Sequence, residues 1–179
     1  MKRRAWWLLA AVAVLCAATP RVPRSTLAGL ERNFDQRLES FDINDPLYVL
    51  GATRGVYLEG YGAVFTSEIS LVPPLTITPF RPNVSKEDIA KLRLRKLARL
   101  PHIKKLMRDM LVHSGNTLVT MPPQEQVVVG VVLSNLPWED TTGLPPQIIM
   151  QAPRRVLSEF ESGQISSNAL DAAIRVQEY

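Results

Sequence analysis

The fold class this sequence predicts is α+β: an antiparallel sheet of about four to five strands, with a long kinked basic helix and terminal helices packed on it. Three observations carry that prediction. Apolar residues recur at helical spacing in two separated stretches, 25–40 and 86–115. Runs rich in β-formers lie at 56–71, 126–133 and 147–151. The 179 residues give room for one domain with its own core, and not comfortably for two.

The first residues stand outside that domain. Lys2, Arg3 and Arg4 are followed by Ala5 to Ala18 without a charge. This run is shorter than the roughly 20 residues of a membrane-spanning helix. It has the length of a signal-peptide apolar region and ends in small residues at Ala17 and Ala18. Residues 1–18 are therefore expected to be a removed secretion signal, with a retained N-terminal anchor as the alternative. Export to the periplasm or the extracellular space follows from that expectation. Cys16, preceded by Leu15, fits a lipid-attachment site poorly. Cleavage after Ala18 removes the single cysteine, and with it disulfides, thiolate metal sites and cysteine catalysis. Without Lys2, Arg3 and Arg4 the 21 basic residues become 18 against 17 acidic ones, a net of +1 in place of +4. That balance gives no global reason to expect nucleic acid.

Residues 19–24 read as a flexible, proline-punctuated lead-in to a single domain over 25–179. Ser25 is expected to cap a first helix running to about Ser40, with Leu27, Leu30, Phe34 and Leu38 on one face. Asp42 to Pro46 is dense in turn formers and ends it. In GVYLEGYGAVFTSEISL (55–71), Gly60 and Gly62 lack the third glycine of a dinucleotide fingerprint, since position 65 is Phe. Phe65, Ile69 and Leu71 alternate with Thr66, Glu68 and Ser70, so the two glycines are expected to turn a hairpin and not to cradle a phosphate. Pro73, Pro74, Pro79 and Pro82 stiffen an extended connector.

Ser85 with Asp88 forms a capping signature for the longest helix. Its apolar face runs from Ile89 through Leu92, Leu97, Leu100, Ile103 and Met107 to Leu111; Pro101 predicts a kink or a break, and Gly115 an end. Gln126–Leu133 is apolar without alternation, the pattern of a central strand covered on both faces. After a polar connection over 135–146, Gln147–Gln151 reads as a short strand. Pro153 opens a helix carrying Val156, Leu157 and Phe160 that stops at Gly163, and Asn168 with Asp171 caps a last short helix. This element order is similar to that of the profilin-like and roadblock-like sandwiches, in which helices cover an antiparallel sheet. The resemblance is one of order alone and implies no activity.

The chemistry is sparse, and no catalytic residue can be assigned. His102 and His113 would lie about 16 Å apart on a straight helix, too far to share a metal, and no HExxH or cysteine pair is present. Neither a metal nor a cofactor is expected. The G-x-S-x-G of a serine hydrolase is missing. Glu59, Glu68, Glu139 and Asp140 are the carboxylates available for paired-acid hydrolysis. Between Lys86 and Arg108 nine basic residues face only Glu87 and Asp88. This helix, through Lys91 and Arg95, is the expected route to an anionic surface, with a solvated helix face as the plainer reading. Trp138 and Tyr61, in a loop and at a hairpin tip, are candidate anchors for a protein or envelope partner, or else edge plugs of the core. Asn83-Val-Ser85 matches a glycosylation acceptor, but Ser85 reads first as a helix cap. No nucleic-acid partner and no transmembrane span in the mature chain are expected. The leading reading is an exported, non-catalytic binding or assembly module of the envelope; the alternative is a small extracytoplasmic hydrolase using paired carboxylates.

Overall fold

The structure, a computed structural model, describes residues 22–73 and 84–179. The expected signal over 1–18, residues 19–21 of the lead-in, the proline connector from Pro74 to Pro82, and Asn83 lie outside the described residues. The described chain runs α1 (Arg24–Glu39), β1 (Tyr48–Val49), β2 (Arg54–Leu58), β3 (Gly62–Ser70), α2 (Lys86–Thr117), β4 (Gln126–Leu133), β5 (Gln147–Pro153), α3 (Arg154–Glu161), α4 (Ser167–Ala173) and β6 (Arg175–Glu178). The class is α+β, as the sequence predicts, with six strands in one sheet.

Both β1 and β2 pair with β3, one after the other along its outer side, and the order then continues β3-β4-β5-β6. Every pairing is antiparallel except β3 with β4, which run parallel from Gly62↔Gln126 to Ile69↔Leu133. The sheet is therefore mixed where an antiparallel one was expected. The cause is α2, which carries the chain from the end of β3 back to the start of β4, as a parallel pair requires.

The hairpin expectation holds. Leu58 pairs with Gly62, and Tyr61 N–H donates to the Leu58 carbonyl at 3.0 Å across the turn. Gly60 takes a φ of +79°, which favours glycine at that turn position. No helix follows the glycines; β3 does.

Leu27, Leu30, Phe34 and Leu38 are all buried, so the face predicted for α1 is the one it uses. Its start differs. Pro23 is the cap residue, and its carbonyl accepts from Thr26 and Leu27, which puts Ser25 inside the helix. Ser85 does cap α2, its hydroxyl accepting from the Asp88 N–H at 3.1 Å. At Pro101, which is exposed, the helix continues as one element of 32 residues. The helix closes at Thr117, two residues past Gly115 and near where the sequence places its end. A Cβ at Gly115 would lie 2.4 Å from Leu157 Cβ, so the missing side chain is what lets α3 dock on the end of α2. Ser166, not Asn168, caps α4.

The core lies between the helix layer and one face of the sheet. Phe34 of α1 meets Phe65 of β3 edge-on with ring centroids 5.0 Å apart. Ile103, Met107, Met110 and Leu111 of α2 are fully buried, as are Val127 of β4 and Ile148 of β5.

At the outer edge of β2, α1 supplies what a neighbouring strand would. Glu31 accepts the Gly55 N–H at 2.7 Å, Asp35 accepts the Thr53 N–H at 2.7 Å, and Arg24 donates to the Gly55 carbonyl at 3.2 Å. Arg24 also grips Glu31 through both terminal nitrogens, at 2.7 and 2.8 Å. That ion pair, helped by the Gly55 N–H, holds the Glu31 carboxyl below the usual carboxylate range against the opposing effect of burial. A depressed folded-state pKa contributes stability above the unfolded value, and the contribution is lost as pH falls through the folded one. Glu31→Gln is therefore expected to cost about 1–3 kcal/mol at pH 7. The gap to wild type should shrink as pH falls below about 4. Urea unfolding of both proteins at pH 7 and pH 3 measures it; an equal gap at both values would contradict the assignment.

Candidate functional site

The basic helix is where the sequence concentrates charge, and the structure accounts for nearly all of it internally. Of the nine cations between Lys86 and Arg108, eight have an acidic partner: Lys91 with Glu87, Arg93 with Asp140, Arg95 and Arg99 with Asp45, Lys96 with Glu139, Lys104 with Glu178, Lys105 with Asp109 and Arg108 with Asp171. Six of these cations reach five acids in other elements or loops, so α2 ties the 40–46 loop, the 134–146 loop, α4 and β6 to the body of the fold.

Two of the cations are buried. Lys96 and Arg99 fall on the same stripe as Leu92, Leu100 and Ile103, and they are 1% and 7% exposed. Lys96 Nζ binds Glu139 and donates to Asn135 Oδ1 at 2.8 Å. Arg99 donates to the carbonyls of Leu71 and Asp45, stands 3.3 Å from the Asp45 carboxylate and lies 5.2 Å above the Phe41 ring. Burial pushes its pKa down, against the pull of Asp45. The signal for both was in the sequence. Lys96 is four residues from Leu92 and from Leu100, in register with the apolar face.

Beside Arg99 a groove of about 640 Å³ runs between α2 and the end of α1, lined by Arg37, Phe41, Asp45, Arg95 and His102 among others. Arg95 and Arg99 face Asp45 there and Lys105 faces Asp109, whereas Arg37 Nε donates to Asn33 Oδ1 at 2.8 Å. His102 is exposed, with Nδ1 3.3 Å from the Ala98 carbonyl. His113, half-buried on the last turns of the same helix, is not part of this groove.

The four candidate carboxylates are not brought together. Glu59 is exposed in the turn where β3 begins. Glu139 and Asp140 follow the far end of β4, a strand whose eight residues span about 26 Å. Glu68 is near that far end but projects from the sheet face opposite α2, whereas Glu139 is turned in toward Lys96. Asp140 is exposed; the Thr142 hydroxyl and N–H, the latter at 2.9 Å, hold its pKa below the usual range. Trp138 is half-buried against the core, and Tyr61 is exposed at the hairpin tip. Lys91 and Arg95 are exposed, each engaged by its acid. Among the described residues no three His, Cys, Asp or Glu side chains are grouped to hold a metal ion. No described helix is long and apolar enough to cross a membrane.

What element-by-element reading missed is the second face of the sheet. The strand registers align Leu58 with Gly62; Val56 with Val64, Val128 and Gln151; Arg54 with Thr66, Gly130 and Ile149; and Glu68 with Val132 and Gln147. Tyr48 and Leu50 extend this face on β1, and Tyr179 extends it beyond β6. None of the four helices among the described residues lies on it, since α1, α2 and α3 pack on the opposite side. Tyr48, Leu50, Val56, Leu58, Val132 and Tyr179 are each 43–59% exposed there, half of the large exposed apolar side chains among the described residues. The apolar run of β4 predicted cover on both faces. The helices supply it on one. No protein-family model matches this chain, and neither a curated protein nor a solved structure matches it.

Proposed function

We propose that this is an exported, non-catalytic binding or assembly module of the cell envelope that works through the helix-free face of its sheet. The observation that carries the reading is that face: a broad, contiguous surface with large apolar side chains and few charges. Monomeric domains rarely leave such a surface free of function. Export is supported by the basic start and uncharged run of residues 2–18.

The expected result is protection of the face in place. A Thr66→Cys protein should react more slowly with a membrane-impermeant maleimide in the intact envelope than after purification and dilution. Leu94→Cys, 62% exposed on α2, should react equally in both. Equal reaction of Thr66→Cys in the two settings would sink the reading, and so would a purified protein that begins at Met1 and fractionates with the cytosol.

A further inference from the structure

We propose that the occupant of the helix-free face is a second copy of this chain, packed sheet against sheet about a twofold axis. The inference rests on the assembly reading above and adds the identity of the partner. Four observations carry it.

The first is the demand set by β4. On the helix-free face Val128 is screened by its strand neighbours at 6% exposed, but Val132 of the same strand is 43% exposed and Val56 and Leu58 of β2 are 53% and 48% exposed. The layer rule for a sheet apolar on both sides is cover on both sides. A second sheet provides it at the usual spacing of about 10 Å.

The second is area. Five strand positions at about 4.8 Å and eight residues at about 3.3 Å give roughly 600 Å² on each partner, or about 1,200 Å² in all. That meets the lower bound of specific, stable interfaces, about 1,200 Å².

Charge complementarity is the third. The registers place three charged side chains on this face, Arg54, Glu68 and Arg175. Arg54 and Glu68 have no ion pair with any described residue, in a molecule whose long helix pairs eight of nine cations. An isologous contact sets one surface against itself, so a twofold axis running between their positions brings Arg54 of each copy to Glu68 of the other. Both charges are then used twice.

The fourth is what the outer edge of β2 excludes. Its outward N–H groups at Thr53 and Gly55 are taken by Asp35 and Glu31. A second copy cannot extend the sheet there by strand addition without displacing α1.

The test is sedimentation velocity of the full-length product, as purified, from about 1 to 100 μM, with circular dichroism confirming that each variant is folded. Wild type is expected to sediment at twice the chain mass in the upper part of this range. Val132→Lys, which places a charge beside Glu68 on this face, should sediment as monomer throughout. Arg54→Glu and Glu68→Arg should each weaken self-association about tenfold or more by setting like charges together. An equimolar mixture of those two variants should restore a dimer, because each supplies the charges the other has lost. Wild type that stays monomeric at the highest concentration overturns the proposal. So does a dimer that survives Val132→Lys, or a mixture that stays monomeric. A monomeric protein whose Thr66→Cys is still protected in the envelope would leave the assembly reading standing and remove only the second copy.

Discussion

Replacing Lys96 with alanine is expected to destabilise the domain by about 3–5 kcal/mol, a fifth or more of the roughly 5–15 kcal/mol typical of a domain. The size follows from burial. The Lys96 side chain is 1% exposed and that of Glu139 is 4% exposed, so removing the ammonium leaves a carboxylate out of water with no counter-charge. Asn135 loses its donor at the same time. Glu139→Ala should cost a similar amount by stranding the ammonium. The double change Lys96→Met with Glu139→Leu should recover most of the loss, because a buried pair repays the desolvation of its members and contributes little beyond that. Asp140→Ala is the internal control. It is the next residue in the chain, but its carboxylate is 45% exposed and 3.7 Å from a partly exposed Arg93. Its loss should cost no more than about 1 kcal/mol. Chemical denaturation of the four variants decides the matter. Equal, small effects at Glu139 and Asp140 would mean that water reaches the pair, and the account of α2 as a buried electrostatic tie would fall.

The same pair marks the boundary of what the sequence discloses. The buried faces of single elements were read correctly, whereas the caps placed at Ser25 and Asn168 belong to Pro23 and Ser166. The three- and four-residue spacing of Leu27, Leu30, Phe34 and Leu38 gave the buried face of α1, and the alternation around Phe65 and Ile69 gave β3. Long-range pairings were not legible. The register of Lys96 with Leu92 and Leu100 marks its burial, but nothing local names its partner Glu139, 43 residues on. β1 and β6 have two and four residues, too few to show a period of two, and exist because β3 and β5 offer them a ladder. The parallel pairing of β3 and β4 follows from the strand–helix–strand order, a connection long enough to cross over. The helix-free face needed all of these registers at once. Single strands showed that Val56, Val64, Val128 and Ile149 were apolar, and only the pairing shows that they lie on one surface. The candidate carboxylates fail to meet for the same reason: chain distance gives no indication that Glu59 and Glu139 sit at opposite ends of the sheet.

Gly62→Ala is expected to cost about 4 kcal/mol or more, or to prevent folding altogether, whereas Gly60→Ala should cost about 1–2 kcal/mol. Two glycines separated by one residue are thus predicted to behave differently, and the reason is steric. Gly60 has a φ of +79° and nothing within 4 Å of where a Cβ would stand, so alanine meets only the penalty of the left-handed region. Gly62 has a φ of +139°, and its Cβ would lie 1.8 Å from the carbonyl oxygen of Gln126 and 2.7 Å from the backbone nitrogen of the same residue. No side-chain adjustment relieves a contact with backbone, and this backbone is the first rung of the parallel ladder, where Gln126 N–H donates to the Tyr61 carbonyl at 2.8 Å. Opening the rung to make room would also disturb Glu125, which accepts the Gly60 N–H at 3.1 Å and holds the turn against β4. Gly60→Asn should be milder than Gly60→Ala, since asparagine tolerates the left-handed conformation. Urea midpoints for the three variants test the ranking. If Gly62→Ala unfolds near wild type while Gly60→Ala collapses, the second glycine is not there for the close approach of two strands, and the segment must be explained by something other than the hairpin.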